Sequence, residues 1–321
     1  MGLDPAVRRF LDMMALGGTG ARGVAERRKG QHVLAQLAGA APAAVAVRDL
    51  DLDLPSGSCA ARAYAPRDAE ATGPGLVFFH GGGLVSGDLD THDAICRTLA
   101  VSAECRIVAI AYRLAPEHPY PAAIEDAVAA FSHVARSAGA FGIDPARLGI
   151  GGDSAGAGLA ARTAQELRGT GPAIAAQLLL CPVLDLACET ESHRAFATGH
   201  LLDAETVRHD IAACGVAGFV DDPRVSPGRE PDLTGLPPAH IHTASHDVMR
   251  DDGAAYAARL AEAGIPVVHT CHPGMIHFFY GLGRIIPKAQ PILAGIGARF
   301  GALLRGDTAN ILPSEPHRRA S

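Results

Sequence analysis

The spacing of apolar and polar positions changes along the chain and marks the expected elements. Residues 1–40 have helical spacing that is interrupted by glycines at 17, 18 and 20. From Val47 to Leu54, apolar residues alternate with acidic ones, as in a half-exposed strand, and Cys59 to Tyr64 looks like its partner. The chain is therefore expected to begin with helices and to continue into a pair of strands.

From residue 75 onward, short apolar runs alternate with longer segments of helical spacing. Strands are expected at 75–79, 106–111, 147–151, 175–183, 240–244 and 266–270. Helices are expected at 88–103, 121–138, 155–168, 252–263 and 286–304. Strands that alternate with helices of this size predict an α/β protein with a parallel sheet covered on both faces.

One stretch departs from this alternation. More than fifty residues separate the strand that ends near Val183 from the strand that begins near His240. Structureless loops of this length are rare in compact domains, and about 201–220 has helical spacing. We interpret 186–221 as an inserted cap. The expected organisation is N-terminal cap helices at 1–46, an α/β core at 47–185 and 222–305, and a flexible tail at 306–321.

Composition excludes several classes of protein. The 321 residues are 48% hydrophobic and 19% charged, with a net charge of −6 and basic residues spread along the chain, so neither nucleic acid nor an anionic membrane is an expected partner. The seven cysteines include no CxxC pair, which favours reduced thiols in a cytoplasmic protein over a disulfide framework. Neither an export signal nor a membrane span is expected. No metal or organic cofactor is implied.

Residues 152–156 read Gly-Asp-Ser-Ala-Gly, which fits G-x-S-x-G between an expected strand and an expected helix. A serine hydroxyl is a poor nucleophile unless a sharp turn presents it beside a base, and Gly152 and Gly156 leave room for such a turn. Ser154 is therefore the candidate nucleophile. A plain glycine-rich turn or a phosphate cradle is the alternative, although no phosphate-binding glycine motif is present.

Residues 80–83 read His-Gly-Gly-Gly and directly follow an expected buried strand. An acyl-transfer enzyme stabilises the oxyanion of its tetrahedral intermediate with backbone N–H groups that no side chain shields. The expected donors are the amides of Gly82, Gly83 and Ala155. We interpret His80 as a structural hydrogen-bonding residue of this loop rather than as a base.

The base and the acid should follow the last two strands. His269, His272 and His277 lie in this region. His272 precedes a proline and suits a loop, so we favour His277, which lies in a turn before an apolar helix start. Asp247 follows the preceding strand, whereas Asp251 and Asp252 suit the first turn of the next helix. The order Ser154, Asp247, His277 is that of an α/β-hydrolase triad.

Together the motifs at 80–92, 112–121, 152–156, 247–253 and 274–277 resemble those of the bacterial hormone-sensitive-lipase-like esterases, often called family IV. The resemblance implies an α/β-hydrolase fold with a small helical cap and places the triad on Ser154, Asp247 and His277. It implies oxyanion donors at Gly82, Gly83 and Ala155. Phe278 stands where the family commonly has glycine, and Leu84 stands where an aromatic residue is common.

The expected activity is the hydrolysis of small, short-acyl carboxylic esters through an acyl-enzyme, with a small-molecule ester as partner. Two alternatives remain open: an amidase or peptidase with the same triad, and a ligand-binding protein on the same fold. Family members often dimerise through the last strand and helix, so 266–304 is a candidate homodimer interface.

Overall fold

The computed structural model describes residues 2–16 and 23–307. Its strands are β1 (Val45–Leu54), β2 (Gly57–Pro66), β3 (Gly73–Phe79), β4 (Arg106–Ile110), β5 (Ile143–Asp153), β6 (Gln177–Leu180), β7 (Ala239–His246) and β8 (Val267–Ile276). Its α-helices are α1 (Pro5–Leu16), α2 (Val24–Ala35), α3 (Asp93–Ala103), α4 (Ala122–Arg136), α5 (Ala155–Leu167), α6 (Glu191–Ala195), α7 (Ala204–Ala213), α8 (Arg250–Glu262) and α9 (Ala289–Leu304).

The eight strands form one mostly parallel sheet in the order β1-β2-β4-β3-β5-β6-β7-β8. The strands from β3 to β8 run parallel, and β2 is antiparallel to both β1 and β4. This confirms the α/β protein with a parallel sheet that the alternating pattern predicts, and the α/β-hydrolase architecture that the resemblance implies. The central strands are apolar on both sides because helices cover both faces.

Alternate residues of each central strand contribute to two separate cores. Val77 and Phe79 of β3 belong to the core under α4, α5 and α8, whereas Leu76 and Phe78 belong to the core under α3 and α9. Both cores are fully buried at the middle of the sheet. They hold the carboxyl ends of the parallel strands at one edge, where loops can carry chemistry.

The two irregular regions of the sequence contain short helices. The expected N-terminal cap holds α1 and α2, and β1 begins at Val45, two residues before the expected boundary. The expected insertion at 186–221 holds α6, which the spacing did not predict, and α7. A small apolar cluster, including Val207 and Ile211 of α7 with Val85 and Met249, attaches this segment to the core. Most of the expected tail lies outside the described residues, as do the glycines expected to break the first helical segment.

No helix in the described ranges is both long and apolar enough to span a lipid bilayer.

Candidate active site

Ser154 occupies the tight turn between β5 and α5. Its backbone has φ 55° and ψ −123°, which a non-glycine residue adopts only when its surroundings hold it there. A Cβ atom at Gly152 or Gly156 would overlap the carbonyl oxygen of Phe79, so both glycines are required by close approach of the neighbouring strand. The Ser154 amide donates to Leu180 O at 2.8 Å and anchors the turn to β6.

The three side chains expected to form a triad meet at the carboxyl edge of the sheet. Ser154 Oγ lies 2.8 Å from His277 Nε2, and His277 Nδ1 lies 2.8 Å from Asp247 Oδ2. An ionised carboxylate only accepts hydrogen bonds, so Nδ1 carries the hydrogen and Nε2 is left to accept the serine hydroxyl. The second oxygen of Asp247 accepts the Met249 amide at 2.9 Å, which fixes the carboxylate. The arrangement lets His277 Nε2 take the serine proton while Asp247 holds the ring in the required orientation.

The electrostatics of His277 suit a general base. Burial by itself lowers the pKa of this imidazole, but the charge and hydrogen bond of Asp247 outweigh burial and raise its pKa above the usual value. The side chains of Ser154, Asp247 and His277 are all buried. A proton taken from the serine hydroxyl would therefore be held by an imidazole that the adjacent carboxylate stabilises in its charged form.

Three backbone amides lie beside the serine. Gly82 and Gly83 have φ of 121° and 69°, left-handed values that glycine adopts without strain, and Ala155 begins α5. Within residues 2–16 and 23–307, none of these three N–H groups donates to a protein acceptor. The expected donors are thus available to a substrate oxygen.

Asp153 supports the loop that carries these glycines, although the sequence pattern gave it no role. Its carboxylate accepts the Gly81 amide at 2.9 Å and lies 3.2 Å from His92 Nε2, and Tyr280 donates to it at 3.3 Å. Burial alone would raise the pKa of Asp153, but its histidine neighbours and the Gly81 amide lower the pKa overall. The only signal in the sequence was that His92 and Asp153 belong to the motifs at 80–92 and 152–156, which resemble those of the family.

His80 has the structural surroundings that we expected. It is fully buried, stacks on Tyr112 with ring centroids 4.5 Å apart, and donates from Nδ1 to Gly81 O at 2.8 Å. Burial, with the nearby His92, lowers the pKa of His80 to about 4. A neutral imidazole held by a carbonyl and a tyrosine shapes the glycine loop rather than moving protons.

The other candidates for the base and the acid have partners outside the triad. His272 is within β8, not in a loop, and its Nε2 lies 3.2 Å from His242 Nδ1. Asp251 accepts the Ser192 amide, and Asp252 accepts the Leu184 amide, so both attach α8 to the 184–192 segment. None of the three contacts Ser154.

Phe278, which stands where the resemblance implies glycine, has a backbone conformation that favours glycine. Phe278 has φ 59°, a left-handed value that glycine adopts more easily, and it follows directly after the candidate base. Its ring packs edge-on against His92 and Tyr280 and lines the cavity above Ser154. A large side chain therefore lines the cavity at a position where the resemblance leads us to expect glycine.

One group in the described part of the chain brings three potential metal ligands together. Cys181, Asp247 and His277 have ligand atoms within 4.8 Å of one another. Both nitrogens of His277 already have partners in Asp247 and Ser154, so the arrangement is explained without an ion. Burial raises the pKa of the Cys181 thiol well above its usual value, which keeps the thiol neutral beside Asp247.

A cavity of about 860 Å³ opens above the serine. Residues of α1, α2 and α7 line it together with Ser154, His277 and the two glycines of the loop. Its volume lies within the range of small-molecule sites. The reactive groups are therefore at the base of a cavity that the two irregular regions enclose.

Comparison with known proteins identifies relatives along most of the chain. The model of a family described as α/β-hydrolase fold matches residues 76–281. Esterase LipI of Mycobacterium tuberculosis is 43% identical over 253 residues, which are 76% of this chain and 78% of the relative. The ethyl acetate hydrolase of Pseudomonas putida is 33% identical over 305 residues, which are 90% of this chain and 96% of the relative.

Solved structures agree with the sequence relatives. An ester hydrolase from the metagenome of Lake Arreo, in complex with a bipyridine phosphonate derivative, superposes with a TM-score of 0.89 at 38% identity, covering 94% of this chain and 98% of that one. A hyperthermophilic esterase from Pyrobaculum calidifontis gives a TM-score of 0.88 at 32% identity, covering 94% and 99%. The chain belongs to the α/β-hydrolase family, within its hormone-sensitive-lipase-like branch.

Proposed function

We propose that this protein is a carboxylic-ester hydrolase in which Ser154 is the nucleophile, His277 the general base and Asp247 the acid that orients it. The observation that carries the proposal is the pair of 2.8 Å contacts from Ser154 Oγ to His277 and from His277 to Asp247. Beside them lie backbone amides that donate to no acceptor in the described part of the chain. Relatives that are named esterases and carboxylesterases support the same reaction class.

In the first half of the reaction, Ser154 Oγ attacks the ester carbonyl carbon while its proton passes to His277 Nε2. The carbonyl π electrons move onto oxygen, and the amides of Gly82, Gly83 and Ala155 stabilise the resulting anion. The anion then collapses and the bond to the alcohol oxygen breaks. The leaving oxygen takes the proton from His277, so an alcohol departs and an acyl-serine remains.

The second half repeats these steps with water. Water loses a proton to His277 Nε2 and attacks the acyl carbon, which forms a second oxyanion at the same amides. Its collapse breaks the bond to Ser154 Oγ, and the serine regains its proton from His277. Asp247 stays ionised throughout and stabilises the charged imidazole.

Short-acyl, water-soluble esters are the substrates that we propose. Segment 186–221 presents few large apolar side chains to solvent, Phe219 being the exposed one, whereas a lipase lid would expose an apolar face. The lining of the cavity is mostly apolar, as expected for the acyl and alcohol parts of an ester.

The test is turnover of p-nitrophenyl esters from acetate to dodecanoate by wild type and by Ser154→Ala. We expect activity to be highest on acetate or butyrate and to fall to background in the variant. Activity that is unchanged in Ser154→Ala rejects the nucleophile. Stronger turnover of anilides than of the matching esters supports an amidase instead.

A homodimer is a further proposal, with 266–304 as its interface. It is supported by the position of β8, which pairs with β7 on one side and is the last strand of the described sheet. Light scattering after size-exclusion chromatography should give twice the chain mass of 33.0 kDa, and charged substitutions on β8 should halve it.

We also propose a cytoplasmic location. All seven cysteines lie within the described residues as free thiols, and six are at least half-buried, as is usual for a protein kept in a reducing compartment. Immunoblotting of cytoplasmic and extracellular fractions tests this location.

A further inference from the structure

The two helical regions above the serine are joined by a charged pair next to the glycine loop. Arg27 of α2 and Asp210 of α7 form a bidentate ion pair, with Arg27 Nη2 3.0 Å from Asp210 Oδ2 and Arg27 Nη1 in close contact with Oδ1. Their side chains are only 16% and 13% exposed. Residues 183 positions apart therefore share a largely desolvated contact that no sequence motif indicates.

Asp210 lies directly against the backbone of Gly83. A Cβ atom built on Gly83 would overlap both Oδ2 and Cγ of Asp210, so the carboxylate occupies the space that a side chain at 83 would need. Four residues later, Cys214 Sγ lies 3.7 Å from Gly83 O, so α7 and the residue that follows it contact this glycine twice. Arg27, Asp210, Gly83 and Ser154 line the same cavity.

A lone carboxylate at this point would oppose the reaction. Two negative charges a few ångströms apart repel each other strongly where water is largely excluded. In the proposed mechanism, negative charge develops on the substrate oxygen at the amides of Gly82 and Gly83, beside Asp210. The guanidinium of Arg27 offsets the charge of Asp210 at the position where the offset matters for the transition state.

We propose that Arg27 is a positioning residue for ester hydrolysis: it neutralises Asp210 so that α7 can pack against the oxyanion loop without destabilising the oxyanion. The inference rests on the proposed function, because it assumes that the oxyanion forms at Gly82 and Gly83. It gives helix α2 an electrostatic role in the chemical step, in addition to its role in enclosing the substrate.

The experiment is a double-mutant cycle with Arg27→Met, Asp210→Asn and the double variant, in which kcat and KM are measured with p-nitrophenyl acetate. Arg27→Met leaves the carboxylate uncompensated, so we expect kcat to fall by about tenfold or more. Asp210→Asn should cost less than about threefold, and the double variant should recover to within about threefold of Asp210→Asn. The effect should appear in kcat more than in KM.

A purely structural role for the Arg27–Asp210 ion pair predicts different activities across the variants. If the pair only holds the helices together, both single variants and the double variant lose activity alike, and that result overturns the inference. Unchanged kcat in Arg27→Met overturns it as well. Arg27→Lys keeps the charge but loses the bidentate contact, so it should retain more of the wild-type kcat than Arg27→Met does. Thermal melting of each variant shows whether it is folded. A loss in Arg27→Lys equal to that in Arg27→Met contradicts the charge argument.

The neighbouring pair Arg28–Glu117 provides the matched control. It also joins α2 to the core, at 2.7 Å, but Glu117 is 55% exposed and does not line the cavity. Glu117→Gln should leave kcat unchanged. If the proposed function is wrong, the wild-type protein will lack Ser154-dependent turnover altogether. If only the inference is wrong, wild-type turnover remains and only the relative activities of the variants in the double-mutant cycle differ from those expected.

Discussion

Strands β7 and β8 carry two buried histidine contacts whose surroundings differ in one respect. At the carboxyl ends of the strands, His277 meets the carboxylate of Asp247. Further back along the same strands, the hydrogen-bonding neighbour of His272 is another imidazole, His242. The pKa of His277 is raised, whereas burial lowers the pKa of His272 to about 4 and that of His242 well below its usual value. Burial makes a histidine inert, and a carboxylate at the strand end makes it a base.

The largest expected effect comes from removing that carboxylate's charge. Asp247→Asn should lower kcat by about 10⁴-fold, because the amide cannot hold the reactive tautomer of His277 or stabilise its charged form. Steady-state kinetics with p-nitrophenyl butyrate measures the loss. Asp251→Asn, four residues along the chain and hydrogen-bonded to the Ser192 amide, is the matched control and should stay within about threefold of wild type. A loss below tenfold in Asp247→Asn would contradict the comparison.

The pH profile sharpens the same contrast. Only neutral His277 can accept the serine proton, so kcat/KM should fall about tenfold per pH unit on the acid side as pH drops through the raised pKa of His277. Because that pKa lies above its usual value of 6.5, the midpoint should lie above pH 6.5. The residual activity of Asp247→Asn should have its midpoint at lower pH. A wild-type midpoint near pH 4 would show that the base resembles His272 instead.

A buried, neutral histidine away from the active site should make the protein less stable at acid pH. The folded-state pKa of His240, which lies beside His242 on β7, is lowered to about 4 by burial, and neither ring nitrogen has a hydrogen-bond partner among the described residues. The unfolded chain binds this proton first, so stability present above pH 6.5 is lost as pH falls toward 4. His240→Phe should reduce the loss in unfolding free energy between pH 7.5 and 4.5 by about 2–3 kcal/mol.

Urea titrations at the two pH values measure this difference within each protein, so that any packing cost of the phenyl ring cancels. The control is His209→Gln, since the His209 side chain is 54% exposed. It should leave the pH-dependent loss unchanged. An equal loss in wild type and His240→Phe would mean that His240 is not the buried neutral group described here.

The smallest expected effect on catalysis is at the competing base. His272→Gln should keep kcat within about threefold of wild type, because His272 faces His242 and not Ser154. Stability should fall, since a buried contact is lost. A folded His272→Gln protein without esterase activity would move the base assignment from His277 to His272.

The residues at strand ends were predictable from the sequence, because chain order fixes which side chains follow each parallel strand. Ser154 and Asp247 each come soon after an expected strand, and the expected order brings them together with His277 at one sheet edge. The glycine loop after β3 was recognisable for the same reason. Each of these residues is recognisable from its local sequence, and folding brings them together at one edge of the sheet.

Contacts between distant helices were not predictable. Arg27 and Asp210 lie in segments of ordinary amphipathic spacing, and only tertiary packing brings α2 and α7 together over Gly83. The extent of β8 was also missed: the apolar pattern ends near residue 270, whereas the strand continues through His272 and Pro273 to Ile276. Pairing with β7, rather than hydrophobic pattern, extends this strand.

The central claim is that a histidine held by Asp247 activates Ser154 as the nucleophile. Incubation with a p-nitrophenyl alkylphosphonate tests it directly, because attack forms a serine oxygen–phosphorus bond and expels p-nitrophenolate. We expect one equivalent of p-nitrophenolate per chain, the phosphonyl group on the peptide that contains Ser154, and labelling slowed by orders of magnitude in His277→Ala. A label on another residue, or labelling as fast in His277→Ala as in wild type, would contradict the account.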